Sequence, residues 1–124
     1  MSNSTGNDDA KQIAALMQTY IEGARNGSSD HMRPIFHEMA TICGYVGPEL
    51  FAGPIGMFYE WHDDNGPAAD ISAGETRIDI EGTAAAVRIE IDNWTGHRFT
   101  DFFTLVKIDD RWQILSKVFY LHPE

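Results

Sequence analysis

The side chains best suited to chemistry in this sequence are one aspartate and one lysine that fall on apolar strands near the chain end. Asp101 alternates with Phe99 and Phe103, and Lys117 alternates with Phe119. A carboxylate on an apolar sheet face loses hydration, which favours its protonated form unless a cation compensates. Asp101 is therefore a candidate catalytic acid or base. The alternative is an ion pair with Lys117 that holds two neighbouring strands together.

Two further polar side chains are candidate catalytic residues. His37 stands at a predicted corner between a helix and a strand, where an imidazole can act as a general base near neutral pH. It can equally cap the helix or bond a carbonyl. Tyr20 lies on the apolar stripe of the first predicted helix. Its hydroxyl either orients a substrate oxygen or is that of a core tyrosine with a satisfied hydrogen bond.

A ligand-binding pocket beside these groups is expected to have aromatic walls, although the same side chains also suit an ordinary core. The residues assigned to ligand binding are Tyr45, Phe58, Trp61, Phe103, Lys117 and Phe119. The remaining histidines are scattered. The loose His62-Asp63-Asp64 cluster is more typical of a solvated helix end than of a metal site. We therefore expect no metal and no cofactor.

The elements that must position these residues begin with an amphipathic helix. Apolar residues recur at helical spacing at Ile13, Leu16, Met17, Tyr20, Ile21 and Ala24. Asn7 or Asp8 is the predicted cap, and Asn26-Gly27 the predicted end. Residues 1–8 are predicted to be a disordered tail and residues 9–124 a single domain.

The rest of the chain indicates an α+β domain with helices on one side of an antiparallel sheet. A short second helix is predicted from Ser29 to Phe36, then a strand from Met39 to Val46. Gly53-Pro54 opens a third helix that ends near Asn65. The remaining strands are predicted at roughly 75–81, 84–93, 97–108 and 111–121.

The register of the last strands decides which way Asp101 and Lys117 point. With a bulged residue in each of the last two turns, at Gly96 and at Asp110, one face gathers an apolar set with these two charges. That face carries Val87, Ile89, Ile91, Phe99, Phe103, Leu105, Leu115, Phe119 and Leu121. The other face has an apolar stripe of Phe102, Val106, Trp112, Ile114, Val118 and Tyr120. Plain two-residue turns would mix the two sets, because a one-residue slip flips every side chain.

Composition excludes several classes of partner. The chain has 19 acidic and 9 basic residues and a formal net charge of -10. Such a surface repels phosphate backbones and anionic headgroups, so we expect neither nucleic acid nor a membrane as a partner. Cys43 is the only cysteine, which rules out an internal disulfide. The polar start of the chain is unlike a signal peptide, and a cytoplasmic location is expected.

Two stretches resemble the NTF2-like superfamily, of the SnoaL and ketosteroid isomerase type, and more narrowly its putative lumazine-binding group. They are Tyr20-Ile-Glu-Gly-Ala through Asp30 with Phe36-His37-Glu-Met-Ala40, and the stronger match from Phe99 to Phe119. The resemblance implies a cone-shaped, cystatin-like fold, with a curved antiparallel sheet packed against three N-terminal helices. It also implies a deep pocket and a homodimer. This superfamily contains isomerases, dehydratases and cyclases, and also proteins without catalysis.

Two hypotheses for the function follow. In the first, the protein binds a small apolar or aromatic molecule and performs metal-free acid–base chemistry, such as isomerisation, dehydration or cyclisation. His37 and Asp101 would then exchange protons, and Tyr20 would steady an oxygen. In the second, the protein is a non-catalytic ligand-binding or dimerisation module, and Asp101 and Lys117 form a structural bridge. An enzyme should leave a polar group facing an open cavity, whereas a structural module should fill that space.

Overall fold

The structure, a computed structural model, describes residues 4–124, with side chains from Asp8 onwards. Helix α1 (Ser4–Asn26) is followed by two short 3₁₀ turns (Ser29–His31 and Arg33–Ile35) and, later, by helix α2 (Gly56–Asn65). The 3₁₀ turns occupy the place of the predicted second helix. Helix α1 begins before the predicted cap at Asn7 or Asp8 and takes in part of the predicted tail. The first three residues of that tail lie outside the described residues.

Six strands form one sheet: β1 (Phe36–Val46), β2 (Glu49–Pro54), β3 (Ser72–Glu81), β4 (Ala84–Trp94), β5 (His97–Ile108) and β6 (Arg111–Leu121). Their order is β2-β1-β6-β5-β4-β3. Neighbours are antiparallel except β1 and β6, which run parallel. The predicted α+β architecture is confirmed. Strand β2 was not predicted, because it is only six residues long, follows the turn signal Gly47-Pro48 and ends in the second one, Gly53-Pro54. Gly53-Pro54 therefore ends β2 and does not open the third helix as predicted, since α2 begins at Gly56.

The apolar stripe of α1 packs on the sheet as its spacing predicts. Ile13, Met17 and Tyr20 are buried, whereas Leu16 is half-buried at the edge of the stripe. Helix α1 ends where Gly27 adopts a φ of 74° and donates its N–H to the carbonyl of Gly23. Along the described part of the chain, neither α1 nor α2 is long and apolar enough to cross a membrane.

The hairpin turns differ from the predicted bulged turns. Thr95-Gly96 and Asp109-Asp110 are plain two-residue turns with positive φ at both positions. The extra residues lie inside the strands instead. Asn93, with a φ of 61°, is bulged in β4, and Leu115 is bulged in β6, between the pairs Leu105–Ile114 and Thr104–Ser116. These bulges restore the predicted register for the residues beyond them.

Moving the second bulge from the turn to Leu115 reverses the faces of the residues between the two positions. Trp112 and Ile114, predicted on the outer face, are buried in the core. Leu115, predicted on the inner face, is only partly buried. The indole Nε1 of Trp112 donates to Asp9 Oδ1 at 3.0 Å, and the ammonium of Lys107 binds the same oxygen at 3.0 Å. Asp9 thus ties the start of α1 to the last hairpin.

Gly44 provides a test of the close parallel pairing between β1 and β6. A Cβ at this position would lie 2.5 Å from the carbonyl oxygen of Phe119 and 2.7 Å from its ring. We expect Gly44→Ala to lower the free energy of unfolding by about 1–3 kcal/mol, because backbone and ring must both move. Gly56→Ala, at the start of α2, meets no described atom within 4 Å and should change it by less than about 0.5 kcal/mol. Urea denaturation measures both variants, and equal losses would contradict this packing.

Candidate functional site

Three side chains from three elements meet in the core between α1 and the sheet. The hydroxyl of Tyr20 on α1 donates to Asp101 Oδ2 on β5 at 2.6 Å, and Lys117 Nζ on β6 lies 3.3 Å from the same oxygen. Asp101 is 0% exposed and Lys117 4%. Both charged side chains therefore face the helices, as the sequence predicts. Burial raises the pKa of Tyr20 well above its usual value, and the negative charge of Asp101 raises it further.

The Lys117 ammonium is surrounded by aromatic rings. Nζ lies 4.8 Å from the ring centre of Phe58 and 5.1 Å from that of Phe119, with Tyr20 and Trp94 at 5.6 and 5.7 Å. Ring faces attract a cation, but much more weakly than water does. Burial therefore lowers the pKa of Lys117, while the adjacent Asp101 opposes that shift.

A cavity of about 200 Å³ opens beside the ammonium. It is lined by Ile42, Val46, Phe51, Phe58, Trp61, Asn65, Trp94, Thr95, His97, Phe99, Lys117, Phe119 and Leu121. The walls are thus mainly aliphatic and aromatic, with a few polar side chains. Of the three buried polar groups, Lys117 lines the cavity, whereas Asp101 and Tyr20 lie behind it. An ammonium has three N–H donors, so Lys117 can bind Asp101 and still donate to a molecule in the cavity.

His97 is the second titratable side chain in the lining of the cavity. Its Nδ1 lies 3.5 Å from a carboxylate oxygen of Glu124, and its side chain is 42% exposed. The side-chain amide of Asn65 donates to the hydroxyl of Thr95 nearby. Sequence reasoning missed His97 because it was treated as one of several scattered histidines. The signal was available, since positions 97, 99 and 101 alternate onto one face of the same strand.

The six other candidates from the sequence lie in different places. Phe58, Trp61 and Phe119 line the cavity. Tyr45 is 60% exposed on the outer face of the sheet, and Phe103 is buried in the core with its ring centre 5.0 Å from that of Tyr20. His37 lies outside the cavity lining, where its Nδ1 accepts the N–H of Met39 at 3.0 Å. The expectation that His37 lies near the cavity is wrong, because β1 starts earlier than predicted and carries it away.

His62 and Asp63 have structural partners in place of a common ligand. The His62 ring is fully buried, and its Nε2 donates to the carbonyl of Gly23 at 3.0 Å. Burial lowers the pKa of His62, which favours the neutral imidazole. Asp63 accepts hydrogen bonds from the N–H and hydroxyl of Ser29 at 2.9 and 2.8 Å. These two residues join α2 to α1 and to the first 3₁₀ turn, so the solvated helix end expected for this cluster is wrong for His62.

Residues 8–120 match the protein family described as putative lumazine-binding. The chain belongs to this family. The match takes in α1 from Asp8 onwards and the whole sheet apart from the last residue of β6. It therefore includes Tyr20, Asp101 and Lys117.

Solved structures of similar chains share the fold of this family member. An NTF2-like protein of unknown function from Methylobacillus flagellatus KT is 45% identical over 94% of each chain, with a TM-score of 0.90. A second such protein, from Shewanella baltica OS155, is 39% identical over 94% of this chain and 96% of its own, with a TM-score of 0.89. The NTF2-like fold is therefore confirmed.

A curated relative carries the name of an enzyme. The aldolase FrzH from Cladobotryum sp. is 34% identical over 112 residues, which are 90% of each chain.

The buried pair provides a test by single and double substitution. Lys117→Met strands the Asp101 carboxylate without a cation, so we expect a loss of about 3–5 kcal/mol in the free energy of unfolding. The double variant Asp101→Asn/Lys117→Met leaves no buried charge and should lose much less. Lys11→Met, at an exposed position of α1, is the control and should stay within about 0.5 kcal/mol. Urea denaturation at neutral pH measures the free energy of unfolding of each variant. A double variant as unstable as Lys117→Met would contradict this reasoning.

Proposed function

We propose that the protein is an enzyme that binds a small, largely apolar or aromatic carbonyl compound and moves a proton beside the carbonyl group. The observation that carries the proposal is a lysine ammonium in the wall of an otherwise apolar cavity. Isomerisation, dehydration, cyclisation and aldol reactions of carbonyl compounds share an enol or enolate intermediate. Negative charge on its oxygen is stabilised most strongly by a fixed cation away from water.

Each polar residue then has a separate role. Lys117 donates a hydrogen bond to the carbonyl oxygen and stabilises the enolate. Asp101 and Tyr20 are positioning residues that lie behind Lys117. Asp101 Oδ2 accepts a hydrogen bond from the Lys117 ammonium, and the Tyr20 hydroxyl holds Asp101 by donating to the same oxygen. His97, at the other polar part of the lining, is the base that removes the proton from carbon. This replaces the acid–base pair of His37 and Asp101 expected from the sequence.

The substrate class follows from the walls of the cavity. Phe58, Trp61 and Phe119 provide aromatic faces for an apolar or aromatic body, and a cavity of about 200 Å³ suits a small molecule. The acidic surface disfavours anions, which leaves a neutral carbonyl compound as the best match to the ammonium. The aldolase name of the relative supports carbonyl chemistry in a chain of similar length.

Hydrogen–deuterium exchange of acetophenone in D₂O tests this function without the natural substrate. The protein should accelerate loss of the methyl protons, followed by proton NMR, because enol formation is the shared step. His97→Ala should slow the exchange by about 10²–10⁴-fold, as expected for a lost general base. The double variant Asp101→Asn/Lys117→Met should slow it by at least about 10²-fold.

His31→Ala is the matched control, since His31 is exposed on the first 3₁₀ turn and outside the cavity lining. It should exchange acetophenone at the wild-type rate. Binding of acetophenone without any acceleration would instead support the non-catalytic ligand-binding module.

We further propose that the protein forms a homodimer through the outer face of the sheet. Four side chains form a continuous apolar patch there: Phe102 (44% exposed), Val118 (46%), Tyr120 (54%) and Tyr45 (60%). Val118 pairs with Phe102 across β5 and β6, and Tyr120 pairs with Tyr45 across β6 and β1. Apolar patches of this kind on a small protein mark association surfaces. Trp112 and Ile114 no longer belong to this face, so the patch is smaller than the sequence predicts.

Light scattering at micromolar concentration should give the mass of a dimer for the natural sequence. Phe102→Lys should give a monomer, because it places a charge inside the proposed interface. Gln18→Lys adds the same charge at an exposed position of α1, on the opposite side of the sheet, and should leave the dimer intact. A monomeric natural protein would argue strongly against the proposed interface.

A further inference from the structure

We infer that Lys117 is a nucleophile whose ε-amino group forms an iminium with an aldehyde or ketone bound in the cavity. This inference rests on the proposed function, because it needs a carbonyl compound in the same place. It goes further by making the lysine a covalent catalyst in place of a hydrogen-bond donor. It also narrows the substrate to aldehydes and ketones, since esters and amides do not condense with amines to iminium ions.

The position of Lys117 suits covalent chemistry. Lys117 lines the cavity, and its Nζ lies 4.8–5.7 Å from the ring centres of Phe58, Phe119 and Trp94, which line the same cavity. Its side chain is 4% exposed and packed among Phe58, Phe119 and Trp94, so bulk water does not compete for the amine. Lysines that form iminium ions in proteins are typically desolvated in apolar pockets of this kind.

The nucleophile must be the neutral amine, and its surroundings allow the proton to leave. Burial lowers the pKa of Lys117, which reduces the cost of deprotonation. The charged and titratable groups that face it are Asp101 from β5, Tyr20 from α1 and the buried His62 from α2. The raised pKa of Tyr20 keeps its hydroxyl protonated, and the lowered pKa of His62 favours the neutral imidazole. His97 from β5 lines the same cavity. Asp101 Oδ2 can accept the proton directly at 3.3 Å. Its other oxygen, Oδ1, is buried and without a hydrogen-bond partner among the described residues, so the carboxyl group has spare capacity for a proton.

The steps balance without a further reactant. Asp101 takes a proton from the Lys117 ammonium, and the neutral amine attacks the carbonyl carbon. Transfer of one N–H proton to the former carbonyl oxygen then gives a neutral carbinolamine. Asp101 returns the proton to the departing oxygen, which leaves as water, and the C–N double bond of the iminium forms. The net reaction converts one ammonium and one carbonyl compound into one iminium ion and one water. Removal of an adjacent C–H proton by His97 would then give an enamine, the carbon nucleophile that aldol chemistry requires.

Reductive trapping with benzaldehyde tests the inference directly. Benzaldehyde has an aromatic body for the cavity and no adjacent C–H, so its reaction stops at the iminium. The protein is incubated with benzaldehyde and sodium cyanoborohydride at neutral pH, which converts an iminium into a stable benzylamine. Intact-mass measurement and peptide mapping then locate the benzyl group. We expect a single addition at Lys117, at least about tenfold faster than at Lys11 or Lys107, the other two lysines of the chain.

Two variants with the same chemical change serve as a matched pair. Lys117→Arg keeps a cation beside Asp101 but cannot form an iminium, so the fast addition should disappear. Lys107→Arg changes a lysine paired with Asp9, outside the cavity lining, and should leave the fast addition at Lys117 unchanged. Circular dichroism checks that both variants fold. If Lys117→Arg does not fold, the inference is tested by the position of the benzyl group in the natural protein, which must be Lys117.

Failure of this inference can be distinguished from failure of the proposed function. Trp61 and Trp94 line the cavity, so quenching of tryptophan fluorescence reports benzaldehyde binding independently of trapping. Binding without preferential labelling of Lys117 overturns the iminium and leaves acid–base chemistry through hydrogen bonding. Equal labelling of all the lysines also overturns it. No binding and no preferential label would remove both proposals.

Discussion

The burial of one ammonium and one carboxylate in an aromatic core is the constraint on which the rest of the structure depends. Neither Lys117 nor Asp101 is stable there alone, since an unpaired charge in such surroundings is strongly destabilising. The two strands must therefore bring them together, and α1 must supply the Tyr20 hydroxyl to the shared oxygen. The cavity exists because the rings that surround Nζ leave space beside it. The side chains that hold the core together are therefore the same ones that form the candidate site.

The pattern of residues was sufficient to predict the general fold and the inward pair. The stripe of α1 and the alternation in β4, β5 and β6 are strong signals, because each buries a full apolar face. Asp101 and Lys117 were placed correctly although neither bulge was, since both bulges lie inside the strands and not in the turns. Lys117 faces inward whether the extra residue stands in the last turn, as predicted, or at Leu115, as observed. In β6, only the residues between the predicted bulge at Asp110 and the observed bulge at Leu115, including Trp112 and Ile114, were assigned to the wrong face of the sheet.

The parts that the sequence did not predict depend on long-range contacts. The inward face of Trp112 depends on Asp9, about a hundred residues away along the chain, which accepts its indole N–H. Strand β2 is defined by its pairing with β1 more than by its own composition. The cavity lining combines α2, the β1–β2 hairpin and three later strands. Alternation along β5 puts His97 on the same face as Asp101, but only the assembled lining shows that His97 belongs to it and His37 does not.

The bulge at Leu115 has a consequence for comparing this chain with its relatives. Leu115 is the one residue of β6 without a partner on β5, so a homologue that lacks it would pair every remaining residue as here. A homologue with an extra residue in the Asp109-Asp110 turn, and none at position 115, would also keep the lysine inward. An alignment of such chains therefore needs a one-residue gap between the Asp109-Asp110 turn and position 115. The residue of a distant homologue that corresponds to Lys117 is better located from its spacing to Phe119, which follows the bulge, than from its distance to Asp101.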